Sequence, residues 1–287
     1  MNYKKIAKKE FPFFLMMPAL VWQLLFFYIP ICLIIFLSII KTHQVSGTTF
    51  FTLVYYKSFF AWPYFKIIGR SLLLALLTSF LTLFFCYPVA YFISFHVKKY
   101  KNLFLFFLIL PFFTSLLIQV YAWFFLLEKE GIINTFLLFI GIVKQPLTLL
   151  NNLFSIYLVM FYCYLPFMLF PIYTIMEKMN VQLMEASADL GGSPWQTFLR
   201  ITLPLSMPGI RTGLFLVFIP AFGEFVIPTL MGGNKQFYVG SLIAHYFLAA
   251  QNAHSGAAFT TIACFVLIIV AFLFYVLLKK IIAKEVV

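Results

Sequence analysis

Six long apolar runs, separated by short polar segments, constrain this sequence more than any other feature. A helix of about 20 apolar residues crosses the hydrocarbon core of a bilayer, which is roughly 30 Å thick. With 64% hydrophobic and 10% charged residues and a mean hydropathy of +1.03, the chain also lies outside the composition of soluble domains. We therefore predict an all-α, multi-pass membrane protein with six transmembrane helices. The runs cover approximately residues 11–40, 71–95, 103–127, 153–176, 208–231 and 257–278.

Basic residues at the ends of these runs predict the orientation of the chain. The first run is about twice as long as the apolar core of a cleavable signal peptide, so we expect a retained span with its N-terminus inside. On that topology the inner segments carry 13 of the 20 Lys and Arg residues and the outer segments carry 7. This bias follows the positive-inside rule. It places both termini, and the segment between the fourth and fifth runs, in the cytoplasm.

Three segments are then expected on the outer side. Lys41–Arg70 is polar and rich in aromatic residues that are typical of the membrane interface. A short amphipathic piece at Ile132–Ile140 leads into a polar loop around Gln145. The third segment follows the fifth run and extends from Gly232 to about Ser255.

One compact polar segment, Glu185–Pro204, interrupts the apolar second half of the chain. Its residues predict a helix, a turn and a second helix. Val181–Leu190 contains good helix formers, and two glycines can end this helix because glycine adopts the left-handed cap conformation at little cost. A capping box should start the second helix and two prolines should end it. The residues concerned are Asn180 (first N-cap), Gly191, Gly192, Ser193, Pro194, Gln196, Pro204 and Pro208.

Several classes of function lack the residues that they require. The four cysteines lie far apart inside apolar runs and the four histidines are scattered, so we predict no metal site. There is no Gly-x4-Gly-Lys-Ser/Thr phosphate loop, so any ATP-driven activity needs a separate protein. We expect no catalytic residue, because no His, Asp or Cys cluster lies at catalytic depth. The net charge of +12 does not indicate nucleic-acid binding, because the basic residues mark the ends of the runs.

Four residues in the apolar runs are candidates for a substrate pathway. Glu224 is the only acidic residue well inside a run, where a charge at mid-bilayer costs about 2.5–3.5 kcal/mol on insertion scales. It either attracts a cation or pairs with a polar or basic group in a neighbouring span or subunit. Tyr121 and Trp123 lie near the outer end of the third run, with Gln119 one turn inward. Aromatic faces can hold ammonium groups, although an interfacial aromatic belt is the plainer explanation.

The polar segment also has the spacing of a known motif. Three residues separate Glu185-Ala186-Ser187 from Gly191, and nine separate Gly191 from Ile201-Thr202-Leu203-Pro204. The segment resembles the cytoplasmic loop of bacterial ABC importer permeases, with Ser187 in place of the second alanine of the motif. The resemblance implies a type I permease architecture, in which this loop docks on the ATP-hydrolysing subunit. An ordinary amphipathic cytosolic loop is the alternative. The implied coupling residues are Glu185, Ala186, Asp189, Gly191, Gly192, Leu203 and Pro204.

Short stretches elsewhere are similar to the spermidine/putrescine branch of this family, and in particular to its B-type subunit. Two positions depart from the branch pattern. Gln119 stands where members usually carry arginine, and Asn252–Ser255 stands where many have an Asp-Trp-Pro-like stretch. Either departure can alter the substrate or the contact with an external binding protein. The similar stretches are Tyr87-Pro88-Val89-Ala90-Tyr91, Leu110-Pro111-Phe112, Tyr121-Ala122-Trp123, Gly131-Ile132-Ile133-Asn134, Gly223-Glu224-Phe225 and Gly232-Gly233.

The resemblance implies a permease subunit of the bacterial inner membrane that moves polyamines by alternating access. Its expected partners are a cytosolic ATP-binding subunit dimer, a second permease subunit that is a copy or a paralogue, an external substrate-binding protein and membrane lipid. The chain itself should bind no cofactor, since ATP and Mg²⁺ are used by the partner subunit. Ferric iron, thiosulfate or sulfate, and phosphonate are alternative cargoes, and an ATP-independent transporter or channel is the alternative class. The expected parts are an N-terminal region 1–66, a permease core 67–278 with a coupling loop 177–207, and a tail 279–287.

Overall fold

The structure, a computed structural model, describes residues 16–42, 49–97, 99–233 and 236–285. The predicted basic N-terminus, the first residues of the first run, Lys98 and Lys235 lie outside the described residues. The chain divides into two compact units. One consists of Met1–Ala61 with Ile243–Phe265, and the other of Trp62–Leu242 with Val266–Val287.

The first unit contains one long apolar helix and a short antiparallel strand pair. Helix α1, Met16–Ile39, includes a π turn and is followed by strands β1 (Ile40–Thr42) and β2 (Thr49–Phe51), in which Lys41 is opposite Phe50. This strand pair is a small addition to the predicted all-α fold. The short helix α2, Val54–Ser58, packs back on α1, because the Tyr56 hydroxyl lies 2.6 Å from Ser38 Oγ.

The second unit contains most of the helices, several of them joined end to end. They are α3 (Trp62–Phe95), α4 (Lys101–Ile109) with a 3₁₀ turn (Leu110–Phe113), α5 (Leu116–Leu127), α6 (Ile132–Phe139), α7 (Leu153–Glu177), α8 (Gln182–Asp189), α9 (Pro194–Gly223) with a π turn (Phe198–Thr202), and α10 (Val226–Gly232). Helices α11 (Val239–Ala249) and α12 (Ala253–Glu285) each cross from one unit to the other.

Helices α3, α7 and α9 form the core of the second unit, and small residues bring them together. In α9, Gly209 and Gly213 are one helical turn apart and face α7. A Cβ on Gly209 would lie 2.7 Å from the Pro171 carbonyl oxygen, and one on Gly213 would lie 2.7 Å from Met168 Sδ. Small residues allow helix backbones to approach closely in a membrane, where van der Waals packing replaces much of the hydrophobic driving force. A row of small buried residues also lies on α3: Ser71, Ala75, Thr78, Ser79 and Thr82.

Five of the described helices are long and apolar enough to span a membrane, and a sixth span exists if one bent pair counts as a single crossing. The bent pair corresponds to the third predicted run. The prediction of one continuous helix over 103–127 was wrong, because Lys101–Phe113 and Leu116–Phe139 meet at 97°. Pro111 lies in the 3₁₀ turn at this bend, and Thr114 that follows is extended with ψ 147°. The fifth run is also broken, since Glu224 is extended (ψ 131°) between α9 and α10.

Two further boundaries differ from the prediction. Trp62–Arg70 forms the first turns of α3, whereas the prediction began the helix at about Ser71. Pro63 is compatible with this because proline is tolerated in the first turn of a helix. Pro204 and Pro208 do not end the second helix of the polar segment. A π turn precedes Pro204, in which the Leu203 amide donates to the Phe198 carbonyl, and the helix then continues to Gly223. Such turns absorb a local disruption of the α-helical ladder without ending the helix.

Substitution by alanine should have opposite effects on stability at a glycine packed against α7 and at a glycine with open space around it. Gly209→Ala should lower the stability by about 1–3 kcal/mol, because its Cβ meets the α7 backbone. Gly69→Ala on α3 is the matched control. A Cβ at Gly69 would have no neighbouring atom within 4 Å, so the higher helix propensity of alanine should raise stability by up to ~1 kcal/mol. Thermal unfolding of the two purified variants in the same detergent checks this, and equal midpoints would contradict the packing described here.

Candidate functional site

The polar segment folds as two helices joined by a tight corner, as predicted. The Asn180 side chain accepts a hydrogen bond from the Gln182 amide at 3.0 Å and so satisfies the first turn of α8, although Val181 occupies the N-cap position. At the other end Gly191 has φ +79°, a conformation that favours glycine. The amides of Gly191 and Gly192 donate back to the Ala188 and Ser187 carbonyls, both at 2.9 Å. The helix therefore ends in the left-handed cap that the two glycines indicate.

The two glycines are required for different reasons. Gly191 has open space around its Cα, so only its backbone conformation demands glycine. At Gly192 a Cβ would lie 2.7 Å from Ser187 Oγ and 2.8 Å from the Ser187 carbonyl oxygen. Ser187 also contacts the second helix, because its hydroxyl lies 2.8 Å from Thr197 Oγ1. The serine that departs from the family motif thus fixes the angle between the two helices.

The second helix begins with the predicted capping box. Ser193 Oγ accepts from the Gln196 amide at 3.3 Å, and the Gln196 side chain accepts from the Ser193 amide at 2.9 Å. Trp195 stacks on Phe198 with 5.3 Å between ring centroids. Phe198 meets the ring of Tyr87 on α3 edge to face at 5.7 Å. A continuous line of aromatic contacts therefore leads from the corner to the helical core.

The surface of this segment combines acidic and apolar side chains. Glu185, Ala186, Asp189 and Gly191 are exposed, whereas Gly192, Leu203 and Pro204 are partly buried. Leu190 is 90% exposed and Trp195 is 66% exposed. Neither apolar residue was among the predicted site residues, although both lie next to the motif glycines or the capping box. Large exposed apolar side chains beside charged ones are characteristic of a protein interface.

Glu224 lies at the break between α9 and α10, and its carboxylate is fully engaged. Oε1 accepts from the amides of Phe225 at 3.1 Å and Val226 at 2.9 Å, so the side chain caps the start of α10. Oε2 accepts from the Tyr164 hydroxyl on α7 at 2.9 Å, and the residue is 9% exposed. A buried carboxylate needs such donors to replace its lost hydration.

Tyr164 separates Glu224 from an open cavity of about 520 Å³. The cavity lies between the break in the third run, α7 and α9. Among the described residues, its lining is largely aromatic and aliphatic, with a few polar groups and no Lys, Arg or His. Sequence reasoning did not single out Tyr164, since one tyrosine among sixteen in an apolar run carries no signal. The lining residues are Pro111, Phe112, Thr114, Leu116, Gln119, Cys163, Tyr164, Pro166, Phe167, Phe215, Leu216, Ile219 and Pro220.

Gln119 holds the break of the third run in place. Its amide nitrogen donates to the Pro111 carbonyl, to the Thr114 carbonyl at 3.3 Å and to Thr114 Oγ1 at 3.0 Å. Its Oε1 faces the Cys163 thiol on α7 at 3.7 Å. Gln119 thus adds hydrogen bonds to two carbonyl groups at the bend, and it presents its oxygen at the cavity.

The four predicted pathway residues do not all meet at one place. Gln119 lines the cavity, and Glu224 reaches it through Tyr164. Tyr121 is about half exposed, and Trp123 packs against the Tyr162 ring at 5.4 Å. Neither lines the cavity. Among the described residues, no three His, Cys, Asp or Glu side chains lie close enough together to share a metal ion.

These features define a class of membrane protein: a helical permease with broken helices beside a cavity and one polar two-helix loop between spans. The comparisons identify the family. Residues 86–285 match the model of the binding-protein-dependent transport system inner membrane component, and the chain belongs to this family. It has the type I fold of ABC importer permeases.

Two relatives and one solved structure are similar to the chain over most of its length. It is 37% identical over 238 residues to the spermidine/putrescine transport system permease protein PotB of Escherichia coli strain K12, covering 83% of this chain and 86% of that protein. It is 34% identical over 258 residues to the protein of the same name from Haemophilus influenzae, covering 88% and 89%. A crystal structure of a bacterial ABC transporter that imports the acidic polysaccharide alginate matches with a TM-score of 0.74 at 18% identity, over 98% of this chain and 99% of that one.

The two corner glycines give a prediction that does not depend on any partner. Gly191→Asn should preserve the corner, because asparagine tolerates the left-handed conformation and the site is open. Gly192→Asn should force Ser187 away and loosen both helices. We expect the amides of residues 181–197 to exchange about tenfold faster in the second variant, which corresponds to ~1.4 kcal/mol. Hydrogen exchange measured by mass spectrometry checks this, and identical exchange in the two variants would exclude the proposed crowding.

Proposed function

We propose that this chain is the membrane-spanning subunit of an ATP-driven importer that carries spermidine and putrescine across the bacterial inner membrane. The observation that carries the proposal is the similarity, along more than four fifths of the chain, to permeases named for those two polyamines. The carboxylate of Glu224 supports it, because it lies behind a cavity whose lining, as far as the structure describes it, includes no Lys, Arg or His. A cationic cargo suits that arrangement better than an oxyanion.

The two-helix corner is proposed to dock on a cytosolic ATP-binding subunit. Glu185 and Asp189 offer negative charge at its exposed surface, and Leu190 and Trp195 offer apolar area. Gly191 and Gly192 shape the corner, and Ala186 permits close approach. Leu203 and Pro204 lie where the segment enters the core, just after the π turn.

The proposed cycle is alternating access. An external binding protein delivers the polyamine, and a dimer of ATP-binding subunits closes and opens in the cytosol. A second permease subunit completes the pathway in the membrane. The chain itself performs no covalent chemistry and binds no cofactor, because ATP and Mg²⁺ are used by the partner subunit. The termini face the cytosol in this scheme, which the excess of basic residues on the inner segments supports.

The cargo is tested by uptake of labelled putrescine and spermidine in cells with and without this gene. We expect uptake to be lost in the deletion strain and restored by the unmodified gene. Immunoblotting of membranes confirms that the restored protein is inserted. Unchanged uptake in the deletion strain would reject the polyamine cargo while leaving the permease family intact, and ferric iron and oxyanions would be measured next.

The docking surface is tested by substitutions that change the charge and the shape of the corner. Glu185→Lys and Gly191→Glu should each lower the transport obtained per ATP hydrolysed at least tenfold, because both change the exposed surface of the corner. Glu130→Lys is the control, since it makes the same charge reversal at an exposed residue outside this segment. The ratio of uptake to ATP hydrolysis in proteoliposomes is the measurement. Normal ratios in both corner variants would remove the docking assignment.

A further inference from the structure

We propose that the cavity beside Tyr164 is a binding site for one terminal ammonium group of the cargo, and that Tyr164 links this ammonium to the carboxylate of Glu224. This inference rests on the proposed function and names the site at which it acts. It combines three features of the second unit: the composition of the cavity, the direction of one hydrogen bond, and the position of Gln119.

The cavity has the composition that a linear diamine requires. Aromatic rings of Phe112, Phe167, Phe215 and Tyr164 line it, and their faces attract an ammonium group electrostatically. The remaining apolar lining suits a methylene chain. A volume of about 520 Å³ lies within the range of small-molecule sites. An anion is disfavoured, because the lining that the structure describes includes no Lys, Arg or His.

Tyr164 connects the cavity to a negative charge. Its hydroxyl donates its proton to Glu224 Oε2 at 2.9 Å, so the lone pairs of the phenol oxygen are left to accept from a donor in the cavity. An ammonium group that donates to this oxygen completes a chain from cation to hydroxyl to carboxylate. Hydrogen bonds in such a chain polarise one another, and the low dielectric strengthens them. Tyr164 contacts the ammonium directly, whereas Glu224 acts through Tyr164.

Gln119 supplies a second acceptor. Its amide nitrogen is held by Pro111 and Thr114 at the break of the third run, which fixes the amide so that Oε1 points toward Cys163 at the cavity. The thiol is a weak donor, and an ammonium group is a stronger one. A cation in the cavity therefore finds two oxygens and several aromatic faces without any movement of the backbone.

The test compares two tyrosines that are two positions apart on α7. Tyr164→Phe removes the hydroxyl and keeps the ring and both backbone hydrogen bonds to Glu224 Oε1. Tyr162→Phe is the matched control, because Tyr162 packs on Trp123 and does not line the cavity. Uptake of labelled putrescine is measured in proteoliposomes that contain the complete transporter and saturating binding protein. We expect Tyr164→Phe to raise the KM for polyamine at least tenfold and Tyr162→Phe to change KM less than twofold.

Cys163 provides a second readout inside the cavity. Spermidine should slow the modification of this thiol by a small methanethiosulfonate reagent in the unmodified transporter, as followed on the Cys163 peptide by mass spectrometry. The protection should disappear in Tyr164→Phe and in Glu224→Gln. If the unmodified transporter takes up polyamine but Tyr164→Phe keeps both its KM and the protection, the ammonium site is overturned and the proposed function stands. If the unmodified transporter takes up no polyamine, the proposed cargo is overturned and this inference falls with it.

Discussion

The close approach of α9 to α7 at Gly209 and Gly213 lies at the core of the second unit. In a membrane, helices are held together by such packing more than by the exclusion of water, so two glycines that admit the α7 backbone set the position of the whole helix. Helix α9 then extends in both directions from this contact. Its first turn is the capping box of the polar corner, and its last residue, Gly223, precedes Glu224.

Features encoded by neighbouring residues were predictable from the sequence. The apolar runs, the end of α8 at Gly191 and the capping box at Ser193 each depend on residues within one or two turns. Helix caps have such short-range signals because the unsatisfied amides and carbonyls lie within four residues of the end. Glu224 could also be singled out from the sequence, since it is the only acidic residue well inside an apolar run.

Features that depend on distant partners were not predictable. Pro204 by itself predicts the end of a helix, but a π turn precedes it and the helix continues. The bend in the third run is stabilised by Gln119, which bonds carbonyl groups five and eight residues earlier in the chain. Tyr164 becomes significant only when α7 meets the break after α9. The first two outcomes depend on backbone geometry that residue types alone do not specify, and the third depends on a contact between residues 60 positions apart.

Under the proposed function, α9 is the element that joins the docking corner to the cavity. Helix α9 has 30 residues, or roughly 45 Å at 1.5 Å per residue, and it is continuous from the polar corner to the Glu224 break. Coupling between distant sites can be carried by a rigid element of this kind. The packing at Gly209 and Gly213 lies between its ends, so a displacement of the corner that tilts α9 about this contact must also move Glu224. Because Tyr164 belongs to α7, such a tilt changes the distance between Tyr164 and Glu224. In the proposed cycle, the hydrogen bond between Tyr164 and Glu224 therefore responds to the position of the corner.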